Sequence, residues 1–251
     1  PLVRRGGDHS GSRCDAGLSA GGCRHRWRRV EWMRASATML TVNEIFYSIQ
    51  GESTYTGRPC VFVRLAGCDL RCVWCDTSYA FHDGRKLDVS AVVADVEQYH
   101  CDLVEITGGE PLLQEDVYPL MDRLLASGVT VLLETGGHVI VDRVPAAVVK
   151  VMDVKCPGSG EQDRNAWENL SRLTAHDQVK FVIADRGDYE FARDVVRRHA
   201  LEMRCEAVLF SVVHGVLPPV RLAEWVLADR LPVRLQIQLH KHLWGAETRG
   251  V

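Results

Sequence analysis

From residue 41 onward, short runs of β-branched and aromatic residues alternate with longer stretches whose apolar residues recur every three or four positions. The short runs predict strands over 41–49, 61–65, 103–107, 129–134, 149–154, 178–183, 207–211 and 233–239. The longer stretches predict helices over 89–99, 117–126, 166–175, 189–200 and 219–227. Such alternation implies a mostly parallel sheet with helices packed on it, either doubly wound or curved toward a barrel. Ligands of these sheets collect at the carboxyl ends of the strands. Segments 68–77, 108–111, 135–137 and 155–160 each follow a strand candidate directly, so they are where chemistry is expected.

Composition narrows the class without changing that outline. With 251 residues, 46% of them hydrophobic and 25% charged, the chain can build a substantial core, which excludes a disordered or fibrous protein. No stretch approaches the roughly 18 to 20 apolar residues of a membrane span, and the start lacks the apolar core of a secretory signal. Nine cysteines, an odd number scattered along the chain, do not suggest a disulfide scaffold. The expectation is a cytoplasmic protein that does not engage a membrane.

Charge divides the chain. Eight arginines against three acidic residues leave segment 1–38 at +5 and the rest at −8. A basic arm of this kind could bind nucleic acid or a membrane surface, or serve as a targeting peptide. The favoured expectation is that 1–38 is a disordered or non-native leader, translated ahead of a start at Met39, and that 39–251 is a single domain. Cys14, Cys23 and His25 lie in the leader without a fourth partner at zinc spacing.

Cys68, Cys72 and Cys75 are spaced C-x3-C-x2-C, which lets one loop wrap a single inorganic centre. A structural zinc site takes four protein ligands, so three thiolates suggest a centre that keeps a position open for chemistry. The alternatives are buried thiols, or a zinc knuckle completed by Cys60 or Cys101. Cys60, Cys101, Cys156 and Cys205 lie in or beside apolar runs and read as small buried hydrophobes.

Other constellations fall at neighbouring strand ends. Thr107-Gly108-Gly109-Glu110-Pro111 can bring backbone close to a ligand where a Cβ would intrude. Glu134-Thr135-Gly136-Gly137 and Asp153-Val154-Lys155 end two later strands, where polar residues could also simply solvate the rim. Arg64, inside an apolar strand, needs an acceptor if buried. Together with Gln50 it suggests an anchor for an anionic heteroaromatic ligand.

The cysteine trio followed by the Gly-Gly-Glu turn resembles the radical S-adenosylmethionine superfamily. With Gln50-Gly51-Glu52, Thr56-Gly57, Arg64, Asp76-Thr77 and Lys155, residues 39–251 resemble the 7-carboxy-7-deazaguanine synthase family. Less diagnostic familial features are Gln238 to Lys241, Trp244 and the last four residues. The resemblance implies a modified, incomplete (βα)6 barrel and a lyase of the queuosine pathway. The reaction it implies converts 6-carboxy-5,6,7,8-tetrahydropterin to 7-carboxy-7-deazaguanine and ammonia, with a deoxyadenosyl radical taking hydrogen from C6 and returning it.

It further implies a [4Fe-4S] cluster on Cys68, Cys72 and Cys75, and Mg²⁺ on Thr77. S-adenosylmethionine would lie against Trp74, Cys75, Asp76, Gly109, Asp153, Val154 and Lys155. The pterin would lie against Ile49, Gln50, Gly51, Arg64, Thr107 and the carboxylate of Val251. Partners implied are a flavodoxin or ferredoxin reductant and a second copy of the chain, with no direct nucleic-acid contact. Ser53 stands where many members have glycine, which bears on the substrate loop. The competing readings are a glycyl-radical enzyme activase, which would not need Gln50, Arg64 and Thr77 in one pocket, and a zinc-stabilised binding module.

Overall fold

A computed structural model describes residues 38–251 of the chain; segment 1–37, with Cys14, Cys23, His25 and the expectation of a leader, lies outside the described residues. The elements in order are β1 (Met39–Ile49), β2 (Pro59–Leu65), β3 (Arg85–Asp88), α1 (Val89–Glu97), β4 (Leu103–Gly108), α2 (Val117–Ser127), β5 (Thr130–Thr135), β6 (Val149–Asp153), β7 (Gln178–Ile183), α3 (Arg186–His199), β8 (Ala207–Val212), α4 (Pro219–Asp229), β9 (Arg234–Gln236) and α5 (Leu239–Trp244). The strands form one sheet in the order β3-β1-β2-β4-β5-β6-β7-β8-β9. Every pairing from β2 to β9 is parallel. The sheet stays open between β3 and β9, so β2 and β4 to β8 supply the six parallel strands of an incomplete barrel.

Helices cover one face because their apolar residues repeat at helical spacing. Val89, Val92 and Val96 are the buried side of α1, and Val117, Leu120, Met121 and Leu124 that of α2. Asp88 starts α1 by accepting the Ser90 N–H at 2.8 Å, and Gly128 ends α2 at φ 90°, a left-handed position that favours glycine. Strand residues of the helix-facing side, among them Val61, Val63, Val104, Ile106, Val179 and Phe181, are buried to within 0% exposure. Fully burying a side chain of this kind contributes roughly 1.5–3 kcal/mol.

The sheet is mostly parallel, as expected, with β1 antiparallel to β2 and β3 at one edge. Three elements differ from the expectation. β3 escaped notice because Arg85, Lys86 and Asp88 leave no apolar run; it joins through backbone pairing to β1, and its charges blunt an edge strand. Segment 166–175 is not an α-helix but a 3-10 turn over Trp167–Arg172. Its Asn169 is wholly buried and commits its side chain to the Gly137 and Val139 carbonyls (3.0 and 2.9 Å) and the Val141 N–H (3.2 Å). Segment 233–239 pairs only through Arg234–Gln236, because the chain then turns into α5, with the Leu239 N–H donating to the Gly51 carbonyl at 2.9 Å. No helix among the described residues is long and apolar enough to cross a membrane.

Candidate active site

At the carboxyl ends of the strands lies a cavity of about 300 Å³. Side chains two apart on a strand share a face, and Phe62 with Arg64, Glu105 with Thr107, Val151 with Asp153, and Lys180 with Val182 all line this space. Arg64, Glu105, Thr107, Asp153 and Lys180 thus share the cavity face of the sheet, whereas Lys150 of β6 faces away and pairs with Asp177 at 3.0 Å.

The cysteine loop forms one wall, and Cys68, Cys72 and Cys75 are unpaired and all line the cavity. Backbone contacts hold the loop at both ends and the middle: Gly67 N–H to Ala80 O at 2.8 Å, Glu110 N–H to Gly67 O at 2.8 Å, and Val73 N–H to Ser159 O at 3.0 Å. The glycine turn after β4 explains itself locally. A Cβ on Gly109 would lie 2.1 Å from Gly67 O and 2.9 Å from Cys68 Cβ. What excludes a side chain there is the loop itself, packed directly on the turn. Glu110 points inward: its wholly buried carboxylate accepts from Gly136 N–H (2.8 Å), Thr135 Oγ1 (2.9 Å) and Leu112 N–H (3.1 Å).

Opposite the cysteines is a network of acids around one lysine. Lys180 Nζ, with 5% of its side chain exposed, contacts Glu134, lies 3.1 Å from Glu52 and sits 3.8 Å from Asp153. Burial works to discharge it, but the three carboxylates hold its pKa well above the ordinary lysine value. Burial also works to raise Glu134, yet Lys180 outweighs it and holds that carboxyl below its usual range. Glu105 goes the other way: burial, then Glu134 and Glu52, push it well above the carboxylate range. Glu105 accepts a hydrogen bond from Gln50 Nε2, which fixes the way that amide faces.

Arg64 is neither solvent-facing nor free. Its Nε donates to Glu44 Oε1 at 2.7 Å, and its guanidinium lies over the Phe46 and Tyr79 rings (5.7 and 5.9 Å to the centroids). The C-terminal segment closes the cavity. A Cβ on Gly51 would meet His240 Nδ1 at 2.3 Å, Lys241 Nζ holds Asp76 Oδ2 at 2.7 Å, and Val251 reaches the lining. Burial works to raise Asp76, but Lys241 holds it below the usual range. Ser53 adopts φ 63° in the loop that carries Gln50, a left-handed conformation that glycine would take without strain. The serine hydroxyl adds a contact of its own there, accepting from the Tyr55 N–H at 3.2 Å, while the Ser53 N–H donates to Gln236 Oε1 at 3.0 Å.

Of the residues singled out from sequence, Ile49, Gln50, Gly51, Arg64, Cys68, Cys72, Trp74, Cys75, Asp76, Thr77, Thr107, Gly109, Asp153, Lys155 and Val251 all line the one cavity. Val154 does not: its side chain is buried in the core, and its N–H donates to Lys180 O at 2.9 Å. Cys60, Cys101, Cys156 and Cys205 are buried away from the lining, and the Cys101 thiol donates to the Pro59 and Leu103 carbonyls at 3.4 and 3.3 Å. Sequence reasoning missed Glu105 and Lys180. A lone charge within the apolar runs 103–107 and 178–183 is the signal that marks both.

The donor set fits the inferred cofactors. Three unpaired thiols on one loop that line one cavity are a donor set that an iron–sulfur cluster takes. Burial holds the free Cys68 and Cys72 thiols above their ordinary range, and iron binding would replace those protons. Beside them, the buried Asp153 Oδ1 has no partner, while Asp153 Oδ2 lies 3.1 Å from Lys155 Nζ. An unused acceptor next to a cation suits a hydroxyl-bearing zwitterion such as S-adenosylmethionine.

Comparison with known proteins agrees with this geometry. The family model of the Radical SAM superfamily matches residues 63–154. A 7-carboxy-7-deazaguanine synthase of Koribacter versatilis is 50% identical over 226 residues, covering 84% of this chain and 100% of the relative. One from Chlorobaculum tepidum is 43% identical, covering 84% of this chain and 97% of the relative. Among solved structures, the crystal structure of QueE from Escherichia coli has the same fold, with a TM-score of 0.67 at 24% identity over 80% of this chain and 95% of that one.

Proposed function

The chain belongs to the 7-carboxy-7-deazaguanine synthase family of radical S-adenosylmethionine enzymes, and on that premise we propose how its cavity carries out the reaction. The enzyme is a carbon-nitrogen lyase of deazapurine biosynthesis that uses a [4Fe-4S] cluster, S-adenosylmethionine and Mg²⁺. Its substrate is 6-carboxy-5,6,7,8-tetrahydropterin, and its products are 7-carboxy-7-deazaguanine and ammonia. The observation that carries the reading is one cavity holding both the three free thiols and a second polar wall built from Gln50, Arg64, Glu105, Thr107, Glu134 and Lys180.

When bound, the cluster and S-adenosylmethionine supply reversible hydrogen-atom abstraction at C6 of the pterin. Everything else falls to the chain. Cys68, Cys72 and Cys75 would hold the cluster. Asp153 Oδ1 accepts a ribose hydroxyl, Lys155 faces the methionine carboxylate, and Trp74, Asp76 and Gly109 frame the same molecule. At the other wall, Arg64 binds the pterin carboxylate, exchanging part of its bond to Glu44 for a charge-assisted one. Glu134, kept ionised by Lys180, accepts from N–H donors of the pyrimidinone edge, and Gln50, oriented by Glu105, reads the same edge. Thr77 offers its hydroxyl to Mg²⁺, a hard cation that takes oxygen ligands and keeps waters.

Ile49, Gly51, Thr107 and the Val251 carboxylate complete the substrate side. The setting we infer is cytoplasmic and reducing, in keeping with the unpaired cysteines among the described residues; flavodoxin or ferredoxin as electron donor and a homodimer as the working form rest on the family likeness alone. The glycyl-radical activase reading is not favoured, because the likeness to the synthases covers 84% of the chain and because Gln50, Arg64 and Thr77, which that reading would not need in one pocket, line a single cavity. The test is to incubate the reconstituted protein with 6-carboxytetrahydropterin, S-adenosylmethionine, Mg²⁺ and a reductant. Formation of the deazaguanine is expected; its absence alongside intact cofactor cleavage would overturn the substrate assignment.

A further inference from the structure

His138 follows the Gly136-Gly137 turn after β5, and 3% of its side chain is exposed. Its Nε2 lies 2.6 Å from Asp69 Oδ1, on the residue between Cys68 and Leu70. A carboxylate only accepts, so the ring proton sits on Nε2 and points at the cysteine loop. On the other side, Nδ1 is 3.7 Å from Glu110 Oε2 and has no hydrogen-bond partner. The ring therefore stands between the acid of the Gly108-Gly109-Glu110 turn and the first residue after the first cysteine. The Gly136 N–H donates to that same Glu110 carboxylate at 2.8 Å, and the Glu110 N–H donates to Gly67 O at 2.8 Å. These contacts close a circuit around Cys68 in which His138 is the side-chain link. His138 does not line the cavity, so it cannot act on a ligand directly.

We propose that His138 is a positioning residue that sets the spacing between the cysteine loop and the Gly108-Gly109-Glu110 turn, and so the affinity of the loaded site for S-adenosylmethionine. The inference rests on reading the cavity as a radical S-adenosylmethionine site. Both halves of that site must grip one small molecule, the cluster through an open iron and the turn through its backbone. Displacing one by a fraction of an ångström weakens the joint grip without removing a ligand. Arg164 Nη2 holds the other oxygen, Asp69 Oδ2, at 2.6 Å, so the carboxylate is gripped from two separate loops.

The experiment uses the full chain, reconstituted anaerobically with iron and sulfide, and compares His138→Ala, His138→Gln, Asp69→Ala and the His138→Ala/Asp69→Ala pair. Readouts are iron per chain, the change in the reduced cluster's electron paramagnetic resonance signal on adding S-adenosylmethionine, and the Kd obtained from that change. Each alanine variant is expected to keep the parent's iron content and to raise Kd about tenfold, the worth of one charge-assisted hydrogen bond. The double variant should be no weaker than Asp69→Ala alone, since that change already removes the His138 contact along with the Arg164 one. Glutamine, which can still donate to Asp69, should stay within about threefold of the parent.

An unchanged Kd in either single variant with full iron content overturns the proposal, as does an additive double variant. Should His138→Ala fail to fold, Asp69→Ala measured beside Arg164→Ala decides, because both lose the Arg164 contact and only the first loses the His138 one; equal Kd values in the two would overturn the proposal. A parent chain that takes up no iron overturns both the proposal and the reading beneath it. A parent that binds iron and S-adenosylmethionine but makes no deazaguanine overturns the substrate assignment only, and the Kd series still judges His138.

Discussion

Replacing Lys180 with methionine removes a cation from among three carboxylates while keeping most of the stem volume, so the loss is electrostatic rather than a cavity. Lys180 Nζ contacts Glu134, sits 3.1 Å from Glu52 and 3.8 Å from Asp153. Removing one partner of a buried ion pair costs about 3–5 kcal/mol. Glu134 is 28% exposed toward the cavity, so water recovers part of its solvation and the lower end applies, about 3 kcal/mol. In a domain of this size that lowers Tm by about 6–12 °C.

The deficit has a sign in pH. Lys180 holds the Glu134 carboxyl below its ordinary range, and a depressed carboxyl contributes stability that is present above the unfolded value and lost as pH falls through the folded one. In Lys180→Met that contribution is gone and burial instead raises the carboxyl, so the variant loses stability as pH rises. The gap between parent and variant should therefore be partial at pH 5, where the parent's contribution is already present, and full by pH 8, once the variant's raised carboxyl has ionised. Thermal unfolding followed by circular dichroism under anaerobic conditions at both pH values measures it. Equal deficits at the two pH values, or a deficit under about 1 kcal/mol at pH 8, would refute the reasoning.

Cys75→Ala should lose cluster iron and both cofactor cleavage and product; an iron content equal to the parent's would contradict its role as a ligand. Thr77→Ala should keep the iron but lower turnover about 10-fold to 100-fold and flatten the response to added Mg²⁺, read from a magnesium titration of the initial rate. Glu105→Gln mimics the protonated acid. Burial raises the Glu105 pKa in the folded chain, so the stability it contributes is present below its unfolded value and lost as pH rises. The variant should accordingly match the parent near pH 5 and exceed it by about 1–2 kcal/mol at pH 8 in a denaturant titration.

Much of the fold could be read from periodicity because the six parallel strands carry apolar runs on their helix-facing side and α1 to α4 repeat at helical spacing. β3 could not, since a strand built of Arg85, Lys86, Leu87 and Asp88 is recognised only by the backbone of β1. Nor could the start of α5, because the run 233–239 reads as one strand, whereas Leu239 turns back to meet Gly51. At the site, Cys68, Cys72 and Cys75 were visible because ligand spacing is local along the chain. Lys180 and Glu105 were hidden because their partners are remote: Lys180 meets Glu52 across 128 positions and Glu105 meets Gln50 across 55. Spacing suggested that Gly109 is bare for a ligand's sake, whereas the group that forbids its Cβ is the Gly67 carbonyl. Val154 shared a motif with Asp153 and Lys155, but strand alternation turns it into the core.

The central claim is that this cavity uses S-adenosylmethionine reversibly to rearrange a pterin. The most direct measurement gives the reconstituted chain an excess of 6-carboxytetrahydropterin, Mg²⁺ and reductant with S-adenosylmethionine below the enzyme's substrate supply, and follows product and cofactor together by mass spectrometry. The expected result is 7-carboxy-7-deazaguanine well in excess of the S-adenosylmethionine added, with the cofactor recovered intact. Accumulation of 5′-deoxyadenosine and methionine without the deazaguanine would contradict it.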